Sequence, residues 1–180
     1  MLFLKNMKHT LILLFSIFLL GCGNSQKITR EYLNQDIPPV YKMNLKFKYI
    51  PAYCGGAAPS NEMEAERQKG LAWRSQVLYM DKNGANNFES FATDQYGYLK
   101  LALSEGNYCI KKPYKIEEAK LMKFKNEGWE FSQECLKQEL EKCDFSFEIS
   151  KDTTIEYLVY GRCQYDGPIP CVNNPGAPPP

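Results

Sequence analysis

The stretch at residues 91–111, FATDQYGYLKLALSEGNYCIK, constrains the chain more than any other. Leu99, Leu101 and Leu103 alternate with Lys100, Ala102 and Ser104, the period of a half-buried strand. Asp94-Gln95-Tyr96-Gly97 and Ser104-Glu105-Gly106-Asn107 interrupt the pattern, each with a glycine where a tight turn takes positive φ. Three short antiparallel strands joined by two tight turns are expected here, as the central meander of a small β-sandwich.

The same alternation recurs along the chain. Residues 43–50 place Met43, Leu45, Phe47 and Tyr49 on one face and Asn44, Lys46 and Lys48 on the other. Residues 73–80 read as a second strand, with Trp73, Val77 and Tyr79 toward the core. Segments 88–93, 98–103, 108–112, 145–149 and 154–161 bring the expected count to seven. In the last of these Ile155, Tyr157 and Val159 alternate with Leu158 and Tyr160, which predicts a strand covered on both faces. Asn61 is expected to cap a short surface helix over 62–69, with Glu64 completing a capping box and Gly70 ending it. Residues 81–87 contain Asn83-Gly84 and read as a loop. The β pattern breaks over 114–143, which is rich in Glu and Lys and carries helical spacing at Leu136, Leu140 and Cys143. Gly128-Trp129 divides this helical insertion in two. The β-sandwich domain is thus expected to span 43–165, followed by a Pro-rich extended tail at 166–180.

The N-terminus speaks to compartment. Lys5 and Lys8 precede an apolar run over 11–20, shorter than the roughly 20 residues of a bilayer span and matching the core of a secretory signal. The run ends in Leu19-Leu20-Gly21-Cys22, which resembles the lipobox of bacterial lipoproteins. That resemblance implies a signal peptide at 1–21, cleavage before Cys22 and lipidation of Cys22. Its acyl chains then anchor the protein to a membrane. Gly23 in the next position implies the outer membrane; no acidic run follows it, which favours the periplasmic face, with surface exposure as the alternative, and the polar stretch 22–42 reads as a flexible tether.

Cleavage would leave 159 of the 180 residues, enough for one core. The leader holds two of the 22 basic residues and none of the 21 acidic ones, so the remainder carries one net negative charge. That balance, with no basic cluster, argues against nucleic acid as a partner.

Beyond Cys22 the chain carries Cys54, Cys109, Cys135, Cys143, Cys163 and Cys171. An even count in an exported chain reads as up to three disulfides, with 15 pairings open. No two of the six share a CxxC spacing, which weakens a metal reading. If residues 135–143 are continuous helix, Cys135 and Cys143 lie about 12 Å apart along the axis. That exceeds the approximately 7 Å limit for a disulfide, so each must bond elsewhere. The turn Asp166-Gly167-Pro168 is placed to bring Cys163 and Cys171 together.

The single histidine, His9, falls in the leader, so the remaining chain has no imidazole base, nucleophile partner or metal ligand. The acidic residues form no recognisable catalytic motif, and no catalytic residue, metal or cofactor is expected. The candidate binding loop is Tyr53, Cys54, Gly55 and Gly56. Two glycines after a cysteine fit a backbone anion nest or a close approach of a ligand to the main chain, or else a sharp strand-to-helix corner pinned by a disulfide, the favoured alternative. A thiol-dependent enzyme built on this loop requires a free Cys54.

Within the opening stretch, Thr93-Asp94-Gln95-Tyr96-Gly97-Tyr98-Leu99-Lys100-Leu101-Ala102-Leu103 followed by Glu105-Gly106-Asn107-Tyr108 resembles the signature of transthyretin-like domains, which include the carboxypeptidase regulatory-like modules. The resemblance implies a seven-stranded transthyretin/prealbumin-like β-sandwich, here carrying a short surface helix and a helical insertion. The layout is similar to small lipoproteins of Bacteroidota. No catalytic residue is carried over. The expected role is a non-catalytic binding or accessory module for an envelope protein, peptide or glycan, with a structural envelope lipoprotein as the alternative.

Overall fold

The computed structural model describes residues 38–173. The leader, Cys22 and its expected lipidation, most of the tether and residues 174–180 lie outside the described residues.

The axis of the first sheet is β1 (Val40–Ile50), whose Met43, Leu45, Phe47 and Ile50 are fully buried. On one side β1 pairs in parallel with β8 (Thr153–Tyr160), from Met43 opposite Thr153 to Ile50 opposite Tyr160. On the other side it pairs antiparallel with β5 (Tyr98–Ser104) and then, further along, with β2 (Leu71–Ala72). The handover falls at Phe47, whose N–H donates to Gly97 O at 2.8 Å and whose carbonyl accepts from Trp73 N at 3.1 Å. Gly97 sits at φ +80°, and a Cβ there would lie 2.5 Å from Phe47 O. Glycine is therefore required twice over, for the turn and for the close approach of two backbones.

The second sheet runs in the order β4 (Glu89–Ala92), β3 (Val77–Lys82), β6 (Gly106–Lys111), β7 (Phe145–Ile149), all antiparallel. The two four-stranded sheets pack as a sandwich-like, mainly β fold. An aromatic group marks the centre, where Phe47 stacks on Tyr157 at 5.4 Å and meets the edge of Phe145 at 5.1 Å between ring centres.

The expected meander is not formed. β4, β5 and β6 follow one another in sequence, but β4 and β6 both pair with β3 while β5 pairs with β1 in the opposite sheet. Each of the two turns carries the chain from one sheet to the other. Leu99, Leu101 and Leu103 do face the core as the period demands. Both sheets look into the same core, so alternation specifies the inward face but not the neighbouring strand.

Other expectations also change. The strand read at 73–80 is broken between β2 and β3, giving eight strands among the described residues, and Ser75 at the break takes φ +55°. The break reverses the phase of alternation: Leu78 and Met80 face the core while Val77 is 43% exposed. Buried Thr93 holds the kink, its Oγ1 accepting from Gln76 N at 2.9 Å and donating to Trp73 O at 2.6 Å. The surface helix α1 (Asn61–Gln68) is capped by Ser60 rather than Asn61, with Ser60 Oγ accepting from Met63 N at 3.2 Å. Glu64 takes no part in a capping box and instead binds Arg67 at 2.5 Å. The outer face of β8 is open to solvent, with Leu158 at 43% and Tyr160 at 61% exposure.

The insertion contains α2 (Glu118–Asn126) and α3 (Gln133–Glu141). These helices bury a second hydrophobic cluster of Phe131, Leu136 and Ile169, against which Trp129 and Phe124 pack. Ile169 is 1% exposed and Val172 forms a β-bridge with Phe131, so the described part of the segment expected as tail is packed. Proline marks extended backbone there, not absence of contacts. Likewise β1 begins three residues before the expected domain start at 43.

All six cysteines of the described residues are joined, as Cys54–Cys163, Cys109–Cys143 and Cys135–Cys171. Cys163 and Cys171 are not partners. The turn between them sends one to the strand-to-helix loop and the other to α3. Three disulfides suggest an extracytoplasmic protein. No helix among the described residues is long and apolar enough to cross a membrane.

Candidate functional site

A groove of about 1070 Å³ lies between the two hydrophobic clusters. The sandwich contributes Tyr49, Trp73 and the end of β8, and the insertion contributes Tyr114, Phe124 and Trp129. The far wall is the chain around Arg162–Gln164 and Gly167–Pro170. Both tryptophans of the protein line it. Each is half-buried and anchored on one side. Trp73 rests on Phe47 and Phe145, and Trp129 packs into the second cluster. The walls are held by covalent links: Cys135–Cys171 ties the 167–173 segment to α3, and Cys54–Cys163 ties the chain after β8 to the loop after β1.

Beside the groove is a polar knot that fixes the insertion to the sandwich. The Lys115 side chain is 1% exposed, and its Nζ meets Glu139 Oε1 at 2.7 Å and Asp144 Oδ1 at 3.4 Å. Its remaining donor goes to Lys142 O at 3.0 Å. Tyr114 OH donates to the same Glu139 oxygen at 3.0 Å, and Lys112 N donates to Asp144 Oδ2 at 2.8 Å. Burial opposes ionisation of Glu139, but the hydrogen bonds from Lys115 and Tyr114 outweigh it and hold this carboxyl below its ordinary value. Burial, reinforced by the charges of Asp144 and Glu139, drives the Tyr114 phenol well above its ordinary range. A carboxyl held ionised and a phenol held neutral maintain charge rather than exchange protons near neutral pH. The knot thus reads as structural, with every side-chain donor and acceptor buried among the described residues satisfied.

The candidate loop of Tyr53, Cys54, Gly55 and Gly56 is a covalently pinned corner. Cys54 carries no free thiol, being bonded to Cys163, which removes the nucleophile a thiol enzyme needs. Neither glycine takes positive φ, so the alternating-hand backbone of an anion nest is not made. Gly55 is small for a local reason: a Cβ there would lie 2.7 Å from the hydroxyl of Tyr53, whose ring folds over it. The loop reaches the groove only through Cys163. Among the described residues no three Cys, Asp or Glu side chains gather as a metal set.

Sequence reasoning missed most of the groove. Its lining comes from six separated segments, and the only local signal was the presence of aromatic residues, Trp129 and Tyr160 above all, in polar surroundings. Comparisons with family models, with curated proteins and with solved structures found no match for this chain.

Proposed function

We propose that this protein is a non-catalytic ligand-binding module of the bacterial cell envelope, lipid-anchored through Cys22, with the groove as its binding site. Its sandwich is read as a transthyretin-like variant on the strength of the residue 93–108 signature. The observation that carries the binding role is the groove itself. It is roughly the size of the largest small-molecule sites and lined by aromatic side chains that two disulfides help hold in place. Rigid aromatic walls bind at low conformational cost because little ordering remains to be done.

The test is a titration with oligosaccharides and short peptides, followed by two-dimensional NMR on the oxidised protein. Saturable shifts of the Trp73 and Trp129 indole N–H signals and of Gly161 support the groove. Saturable binding that maps elsewhere, or no binding across the panel, rejects it. The anchor has its own test: Cys22→Ala should move the protein from the membrane fraction to the soluble one, and continued acyl labelling would refute lipidation.

A further inference from the structure

We infer that the groove selects an acidic oligosaccharide, with sugar rings against Trp73 and Trp129 and a uronate carboxylate on Arg162. This rests on the reading of the groove as a ligand site and adds the class of ligand.

The charge around the groove is unbalanced in a specific way. Two of its three acidic residues are already engaged, Glu139 and Asp144 facing the buried Lys115 at 2.7 and 3.4 Å, while Glu127 makes only an exposed contact with Lys123 at 3.8 Å. Among the described residues, Lys120, Lys142 and Arg162 have no carboxylate within ion-pair distance, although all three line the groove. Arg162 is also held in place. Its Nε donates to Gly167 O at 3.1 Å and one terminal amino group donates to Asp166 O at 2.6 Å, leaving the other amino group without an acceptor among the described residues. A guanidinium positioned by carbonyls rather than by a carboxylate keeps its full charge for an incoming anion. It also loses less side-chain freedom on binding. Arg162 is exposed, so an incoming carboxylate reaches it from solvent without displacing a protein side chain.

The rest of the lining favours sugar over peptide. A peptide bound by strand addition needs a run of open main-chain partners. Here β8 contributes only its last two residues, Val159 and Tyr160, and the prolines Pro113, Pro168 and Pro170 present no N–H. Half-buried indole and phenol rings offer flat faces for the apolar side of a pyranose, and the amides of Gln76 and Gln164 both donate and accept toward hydroxyls.

The experiment is isothermal titration of the oxidised full-length protein in detergent with tetrasaccharides of galacturonate, of mannuronate and of hyaluronan. Each is paired with its carboxyl methyl ester, and a Glu-rich hexapeptide serves as the rival ligand. At least one acidic tetrasaccharide should bind, at least tenfold more tightly than its ester. Arg162→Gln should weaken the acid about tenfold and leave the ester unchanged, Arg162→Lys should fall between, and Trp129→Ala should weaken both. Near-UV circular dichroism checks that each variant keeps its packing. The inference is overturned if no acidic tetrasaccharide binds, if ester and acid bind alike, or if Arg162→Gln has no effect. Ester or peptide binding that is lost in Trp129→Ala rejects the acidic sugar but retains the groove. Saturable binding untouched by Trp129→Ala rejects both.

Discussion

Replacing Gly97 by alanine tests the join on which the first sheet depends. Two costs are expected. A side chain at φ +80° brings the left-handed penalty of about 1–2 kcal/mol. The new methyl would also lie 2.5 Å from Phe47 O and 3.0 Å from Trp73 N. Both are backbone atoms, and neither can swing aside. The turn must retreat and weaken the Phe47 N–H to Gly97 O hydrogen bond, worth about 0.5–1.5 kcal/mol. The sum is about 1.5–3.5 kcal/mol, a large part of the 5–15 kcal/mol typical of a domain.

Two controls separate the terms. Gly84 takes φ +71° with open space around it, so Gly84→Ala should cost about 1 kcal/mol through the backbone alone. Gly56 has neither positive φ nor a neighbour, so Gly56→Ala should be neutral or stabilising by about 0.4–1 kcal/mol. The assay is equilibrium urea unfolding of the oxidised protein by tryptophan fluorescence. Gly97→Ala should lower the midpoint by about 1–2 M at an unchanged slope of roughly 1.5–2 kcal/mol/M. If Gly97→Ala is no worse than Gly84→Ala, the close approach at Phe47 does not contribute and the account of the handover fails.

Lys115→Met should destabilise by about 3 kcal/mol in the same assay, because it leaves Glu139 and Asp144 facing each other without their buried cation. Lys112→Met, whose more exposed ammonium lies 3.8 Å from Asp144, should cost under about 1 kcal/mol; equal losses would refute the assignment of the knot to Lys115. The hydrogen bonds from Arg67 and then Gln68 hold the Glu64 carboxyl at about 2, below its ordinary 4.5, so its contribution is present above pH 4.5 and lost as pH falls toward 2. The stability difference between the native protein and Glu64→Gln should therefore shrink across that window and vanish only below pH 2, and a difference undiminished between pH 4.5 and pH 2 would count against the pairing. Joint replacement of Cys135 and Cys171 by alanine removes a link across 36 residues, worth about 3–4 kcal/mol on chain-entropy grounds. Hydrogen exchange should rise first in residues 167–173, and uniform acceleration would show that the link acts globally rather than on the groove wall.

What can be read without the structure is what depends on near neighbours in the chain. The alternation of Met43, Leu45 and Phe47, of Leu99, Leu101 and Leu103, and of Phe145, Phe147 and Ile149 identifies inward faces, and each of these sets does pack into one core. The division of the insertion at Gly128 was likewise legible, since glycine at φ +87° ends a helix by its own conformational preference. The phase error over residues 73–80 arose because a single non-glycine residue, Ser75, takes positive φ, which no local pattern announces.

The sequence by itself therefore determined the mainly β character, the buried residue set of most strands and the set of six cysteines beyond Cys22. Tertiary structure decided which strands are neighbours, including the parallel pairing of β1 with β8 across more than a hundred residues. It also decided which cysteines meet and where the groove lies. The reason is common to all three: side-chain period and turn chemistry act over a few residues, whereas pairing, crosslinking and concavity depend on segments brought together only by burial of a shared core.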